Sequence, residues 1–132
     1  MTDTDKKESP PKQVILICGS RYGMEGAAEV IRNILLKYDP AFTTVLHGGA
    51  PGIDSIAGKV AEMMKFPVKV EYADWNLGKK GGPLRNSRMI AMLSKNDHVY
   101  ALPCKKSTGT WDTVDKAQRA GIPITVIDKW LK

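Results

Sequence analysis

Four short stretches of the sequence gather glycine, hydroxyl and charged residues: Gly19 to Gly23 (GSRYG), His47 to Asp54 (HGGAPGID), Ala73 to Arg85 (ADWNLGKKGGPLR) and Pro103 to Thr110 (PCKKSTGT). Glycine lacks a Cβ, so it lets backbone N–H groups approach phosphate oxygens closely and accepts positive φ. Helix starts are expected after Gly52, Gly82 and Gly109, and each would add unpaired N–H groups and the positive end of a macrodipole. Arg21, Lys79, Lys80, Arg85, Lys105 and Lys106 bring cations to the same loops. Together these are the parts of an anion cradle. Its expected ligand-binding set is Gly19, Ser20, Arg21, His47, Gly48, Gly49, Asp54, Trp75, Arg85, Asn86, Thr108, Gly109 and Thr110. Arg85 can grip a phosphate through parallel N–H groups, and Trp75 and Trp111 offer flat faces to a base. Asp54 and Asp112 fall in expected first helical turns, where a carboxylate also serves the macrodipole.

The elements that must hold these loops follow from apolar spacing. Val14 to Cys18 is continuously apolar, as in a strand covered on both faces. Further strands are expected at Thr43 to Leu46, Val68 to Tyr72, Asp97 to Leu102 and Ile122 to Ile127. Between them, Ala27 to Tyr38 and Ile53 to Met64 repeat apolar residues at helical spacing. A third helix is expected to open with Pro83 in its first position and run to about Leu93 or Ser94. The fourth would follow Thr110 as N-cap and stop at Gly121. Alternating strands and helices define an α/β fold: a Rossmann-like three-layer sandwich with a five-stranded, mainly parallel sheet. Right-handed crossovers then give the order 3-2-1-4-5, with the glycine-rich loops along one edge at the switch point between strands one and four. Residues 1–12 are polar and end in Ser9-Pro10-Pro11, so they are expected to form a disordered tail ahead of a single domain over residues 13–132.

A chain of 132 residues suits one domain. Its 42% hydrophobic and 26% charged residues exclude disorder throughout and collagen-like structure. The net charge of +6 lies entirely beyond residue 12, which favours an anionic ligand. No apolar run approaches the ~18 residues of a membrane span, and the amino terminus has no apolar signal core, so a cytoplasmic protein with no membrane partner is expected. Cys18 and Cys104 have no metal-binding or redox spacing. Neither metal nor cofactor is expected. The P-loop and G-x-G-x-x-G motifs are absent.

The ordered series ICGSR (Ile17 to Arg21), HGGAPGID, ADW (Ala73 to Trp75), G-x-x-G-G-P-x-R-N-x-x-M (Gly78 to Met89) and TGTWD (Thr108 to Asp112) resembles the SLOG superfamily. That group joins the DNA-processing protein DprA with the Lonely Guy phosphoribohydrolases, and the match is to its small YspA-like, YpsA-related branch, over about residues 13 to 127. The resemblance implies a nucleotide or nucleotide-derived ligand, and members that often self-associate as homo-oligomers. In the hydrolases an Arg in R-x-x-x-M and a Glu ending P-G-G-x-G-T-x-x-E cleave an N-glycosidic bond. Arg85 and Met89 fit the first pattern, whereas Thr113 stands where the Glu belongs. Asp112 is one position early, so Arg85 and Asp112 are the catalytic pair only if the domain is an enzyme.

The leading expectation is thus a domain that binds a nucleotide or an ADP-ribose-like molecule as a sensor, carrier or sequestering protein. A nucleotide N-glycosidase ranks second because of the missing Glu. A DprA-like binder of single-stranded nucleic acid ranks third, since no extended basic and aromatic arm is present.

Overall fold

The computed structural model describes residues 12–22 and 24–131. The tail expected over residues 1–12, apart from Lys12, and Gly23 of the first loop lie outside the described residues.

Strand β1 (Gln13–Gly19) runs through the middle of the sheet, and Ile15, Leu16 and Ile17 are wholly buried. Successive strand residues point to opposite faces, so β1 feeds two cores. Ile15 and Ile17 pack with Ile31 and Leu35 of α1 (Ala27–Leu35) and with Ile53 and Ala57 of α2 (Ile53–Met63). Leu16 and Cys18 pack with Met89 and Ile90 of α3 (Gly81–Ala91) and Ala117 of α4 (Thr108–Arg119). The other strands are β2 (Thr43–His47), β3 (Val68–Val70), β4 (His98–Leu102) and β5 (Ile124–Val126). All pairs are parallel, in the order β3-β2-β1-β4-β5. The chain first builds outward from β1 on one side, then crosses back to β4. Loops leaving β1 and β4 therefore diverge and open a crevice between them.

Several boundaries differ from the sequence expectation. Inside the stretch read as a loop, Trp75–Lys80 forms a 3₁₀ helix kinked at Gly78 (φ 68°) and started by Asp74, whose carboxylate accepts the Asn76 N–H at 3.0 Å. That helix runs directly into α3, which therefore begins at Gly81, two residues before Pro83. Proline is tolerated there because first-turn N–H groups have no intrahelical partner. Helix α4 begins at Thr108, with Ser107 rather than Thr110 as its flanking residue. The cause is a tight turn in which the Ser107 hydroxyl accepts the Cys104 N–H at 2.8 Å and the Ser107 N–H donates to the Cys104 carbonyl at 3.2 Å. As a consequence Asp112 leaves the first turn, so dipole stabilisation is not what places it there.

Candidate functional site

Above the carboxyl ends of β1 and β4 lies an open cleft of about 570 Å3, within the ~300–1,000 Å3 typical of small-molecule sites. Arg85 projects from α3 into its floor and is 7% exposed. Its Nε donates to the Asn86 Oδ1 at 2.8 Å and its Nη1 donates to the Gly48 carbonyl. No enclosed side-chain nitrogen or oxygen among the described residues lacks a partner. Nη2 has no partner from those residues and is therefore not enclosed, and Arg85 lines the cleft. Burial draws the guanidinium pKa down from its ordinary value, yet an arginine remains a cation.

Asp54 sits in the first turn of α2 and is 5% exposed. Its Oδ2 accepts the N–H groups of Gly48 and Ala50, each at 3.1 Å, which folds the glycine-rich loop over the helix start. Burial pushes this carboxyl up to about 6, against the pull of those N–H groups and of Arg85 and Arg21. Two glycines make the crossing tight enough. Gly52 has φ 80°, and a Cβ there would strike the Ser20 carbonyl, while one on Gly48 would strike the Arg85 guanidinium. The Ile53 N–H donates to that same Ser20 carbonyl at 2.9 Å and ties the first two loops together.

The wall opposite is the start of α4, where Thr108, Gly109 and Thr110 line the cleft and no side chain caps the helix. Asn86 bridges the walls by donating to Asp112 Oδ2 at 3.0 Å. Lys116 pairs with the same carboxylate at 2.7 Å. Partial burial works against the charge on Asp112, but these two partners hold its pKa below the usual value. At the rim the Arg21 guanidinium lies 5.5 Å from the Trp75 ring centroid and Lys106 lies 5.9 Å from that of Tyr22, both within cation–π range.

Of the residues singled out by sequence, Gly19, Arg21, Asp54, Trp75, Arg85, Asn86, Thr108, Gly109, Thr110 and Asp112 line this cleft. Others are drawn elsewhere. Ser20 is buried, with its hydroxyl 3.1 Å from the Cys104 thiol and accepting the Tyr22 N–H at 2.9 Å. His47 is 6% exposed, turned toward Gly58, and its Nδ1 accepts the Gly49 N–H at 3.0 Å. Burial pulls its pKa down, which favours the neutral ring. Gly48 and Gly49 shape the loop behind the cleft and do not line it. Both cysteines are free thiols. The cleft also takes in Tyr22, Lys79, Met89, Lys106 and Thr113. Met89 follows Arg85 by four residues, one helical turn, which is the R-x-x-x-M spacing already read in the sequence. Thr113 holds to Gly109 in the same way, its Oγ1 donating to that carbonyl at 3.3 Å.

Fold and site define a doubly wound α/β domain whose switch-point cleft has an arginine in its floor and cations on its rim. The Gene 61 protein of Mycobacterium phage D29 is 41% identical to this chain over 118 residues, 83% of this chain and 92% of that protein. The chain belongs to the family of that Gene 61 protein. No family model matches it. DNA processing protein A (DprA) from Streptococcus pneumoniae superposes with a TM-score of 0.71 at 16% identity, over 88% of this chain and 50% of its own. DprA from Helicobacter pylori, described for its single-stranded DNA binding mode, gives 0.59 at 19% identity, over 88% of this chain and 65% of its own. The C-terminal domain of the PF1911 hydrogenase from Pyrococcus furiosus gives 0.51 at 13% identity, over 90% of this chain and 95% of that domain. The chain thus has the DprA fold and spans half the length of the pneumococcal protein and 65% of the Helicobacter one.

Proposed function

We propose that this protein binds a nucleotide or a nucleotide-derived, ADP-ribose-like molecule in the cleft between β1 and β4, as a sensor, carrier or sequestering protein. The observation that carries this reading is the Arg85 guanidinium, buried in the lining of the cleft, fixed at Nε and Nη1, with Nη2 not enclosed and left without a partner among the described residues. Arg21, Lys79 and Lys106 line the same cleft, as does the uncapped start of α4. A phosphate would sit between guanidinium and helix start, where charge-assisted bonds and the macrodipole act together. Trp75, 57% exposed at the rim beneath the Arg21 guanidinium, would let a base join that stack. The motif series supports membership of the YspA-like branch of the SLOG superfamily. In this proposal residues 13–132 work as one cytoplasmic unit that self-associates through its helices.

Hydrolysis ranks lower, because Asp112 is engaged by Lys116 and Asn86. Single-stranded nucleic acid is the competing ligand. The fold shared with DprA and the rim aromatics Tyr22 and Trp75 favour it, whereas the cleft has the volume of a single small ligand. A thermal-shift screen over nucleotides, cyclic nucleotides and ADP-ribose derivatives tests the reading. A ligand at 100 times its Kd adds about 2.7 kcal/mol to stability. Melting unmoved by every compound at millimolar concentration would overturn it.

A further inference from the structure

Asp54 is a carboxyl group in a cleft otherwise rich in cations. Its Oδ2 is occupied by two backbone N–H donors. Its Oδ1 accepts nothing from any described residue and is therefore not enclosed, and Asp54 lines the cleft. No ion pair joins it to Arg85, since the three ion pairs among the described residues lie elsewhere. The charged groups acting on it are Arg85 from α3 and Arg21 from the loop after β1. Cys18 of β1 is the other titratable neighbour, and burial keeps it a neutral thiol. An ionised carboxylate at this spot would repel any phosphate drawn to Arg85.

We propose that Asp54 binds the anion as a neutral carboxylic acid, its Oδ1–H donating to an oxygen of the same group that Arg85 Nη2 contacts. This rests on the reading of the cleft as an anion site and names the protonation state in which that site works. The proton belongs on Oδ1, because Oδ2 already accepts two N–H bonds. Burial has brought the acid form within reach of neutral pH, and the incoming negative charge raises it further. The balance is simple: one proton is taken from solvent for each anion bound to the ionised protein, and no other bond forms or breaks.

The test uses sulfate, whose charge is constant across the range, and adenosine 5′-monophosphate, titrated by calorimetry into the full chain and into Asp54→Asn. Asparagine keeps an oxygen for the two N–H donors and places an NH2 donor where the acid would hold its proton. Wild-type affinity for sulfate is expected to fall as pH rises from about 6 to about 8, approaching a limiting slope of about tenfold per pH unit. Calorimetry in buffers of different ionisation heat should show uptake approaching one proton per sulfate near the upper end. Asp54→Asn should bind at about pH 8 more tightly than wild type, without uptake or pH slope. Sulfate binding by wild type that ignores pH, or an Asp54→Asn protein that is weaker at every pH, overturns the acid and leaves the cleft reading standing. Failure of both proteins to bind either anion overturns the cleft reading and the acid together.

Discussion

Arg85 holds the Gly48 loop and Asn86 through one guanidinium, and in the proposed complex it holds the ligand as well. Removing it in Arg85→Ala is expected to weaken nucleotide binding by about 1.5–3 kcal/mol, the scale of a charge-assisted hydrogen bond. Loss of its bonds to Gly48 and Asn86 should also lower stability by about 1–2 kcal/mol. Titration and melting of the same sample separate the two effects, and unchanged affinity would remove Arg85 from the site. Asp54 supplies a stability prediction with its own sign. Its pKa is raised from 3.8 to about 6 in the folded chain, so the folded state binds more protons than the unfolded one. The resulting penalty is absent below about pH 4, grows as pH rises, and is complete above the folded value. Asp54→Asn should therefore stabilise the protein near neutral pH by on the order of 2–3 kcal/mol, with the gain vanishing in acid. Melting curves across that range check it, and a variant less stable than wild type at pH 7 would contradict it. Asp112 belongs to a half-buried i,i+4 pair with Lys116 and also accepts from Asn86, so Asp112→Asn, which keeps an acceptor oxygen but loses the charge, should cost about 0.5–1 kcal/mol.

Among the elements, the glycines of the loops separate fold from ligand. Gly52 has φ 80° and no room for a Cβ against the Ser20 carbonyl, so Gly52→Ala is expected to destabilise by about 1–3 kcal/mol. Gly109 has open space around it and sits in the first turn of α4. Gly109→Ala should leave the fold unchanged or up to about 1 kcal/mol more stable, while its methyl obstructs a phosphate at the helix start and weakens binding. Denaturant melts and nucleotide titrations of both variants read these opposite outcomes. These elements also show what the sequence made legible. Sheet order and the meeting of the loops followed from the apolar run Val14 to Cys18 and from right-handed crossovers, because burial on both faces leaves such a strand one place in the sheet. The starts of α3 and α4 did not follow. Pro83 and Thr110 carry helix-start chemistry, but the 3₁₀ turn at Trp75 and the Cys104–Ser107 turn began each helix earlier. His47 was a polar residue in the right loop whose ring turned inward, since Gly58 leaves room beneath it. Nothing local in sequence encodes that packing.

At the scale of the whole molecule the question is where +6 of net charge acts. A cleft holding one or two phosphates displaces few counterions, so nucleotide affinity should weaken only mildly with salt. A groove neutralising 6–10 phosphates of duplex DNA would lose about 10³–10⁵ in affinity between 50 and 200 mM salt, and single strands show a shallower trend. Parallel titrations of a mononucleotide and a short labelled oligonucleotide should show the first slope, with the mononucleotide displacing any bound oligonucleotide. Steep salt dependence without such competition would favour a nucleic-acid surface. The central claim, that a phosphate sits between Arg85 and the start of α4, is tested most directly by backbone amide NMR during titration with adenosine 5′-monophosphate. The account predicts that the largest shifts fall at the amides between Gly48 and Asp54, Gly82 and Asn86, and Thr108 and Thr113, and that Arg85→Ala moves their midpoint to about 10- to 150-fold higher nucleotide concentration. Saturable shifts confined to other surfaces, or shifts at these amides with an unchanged midpoint in Arg85→Ala, would contradict it.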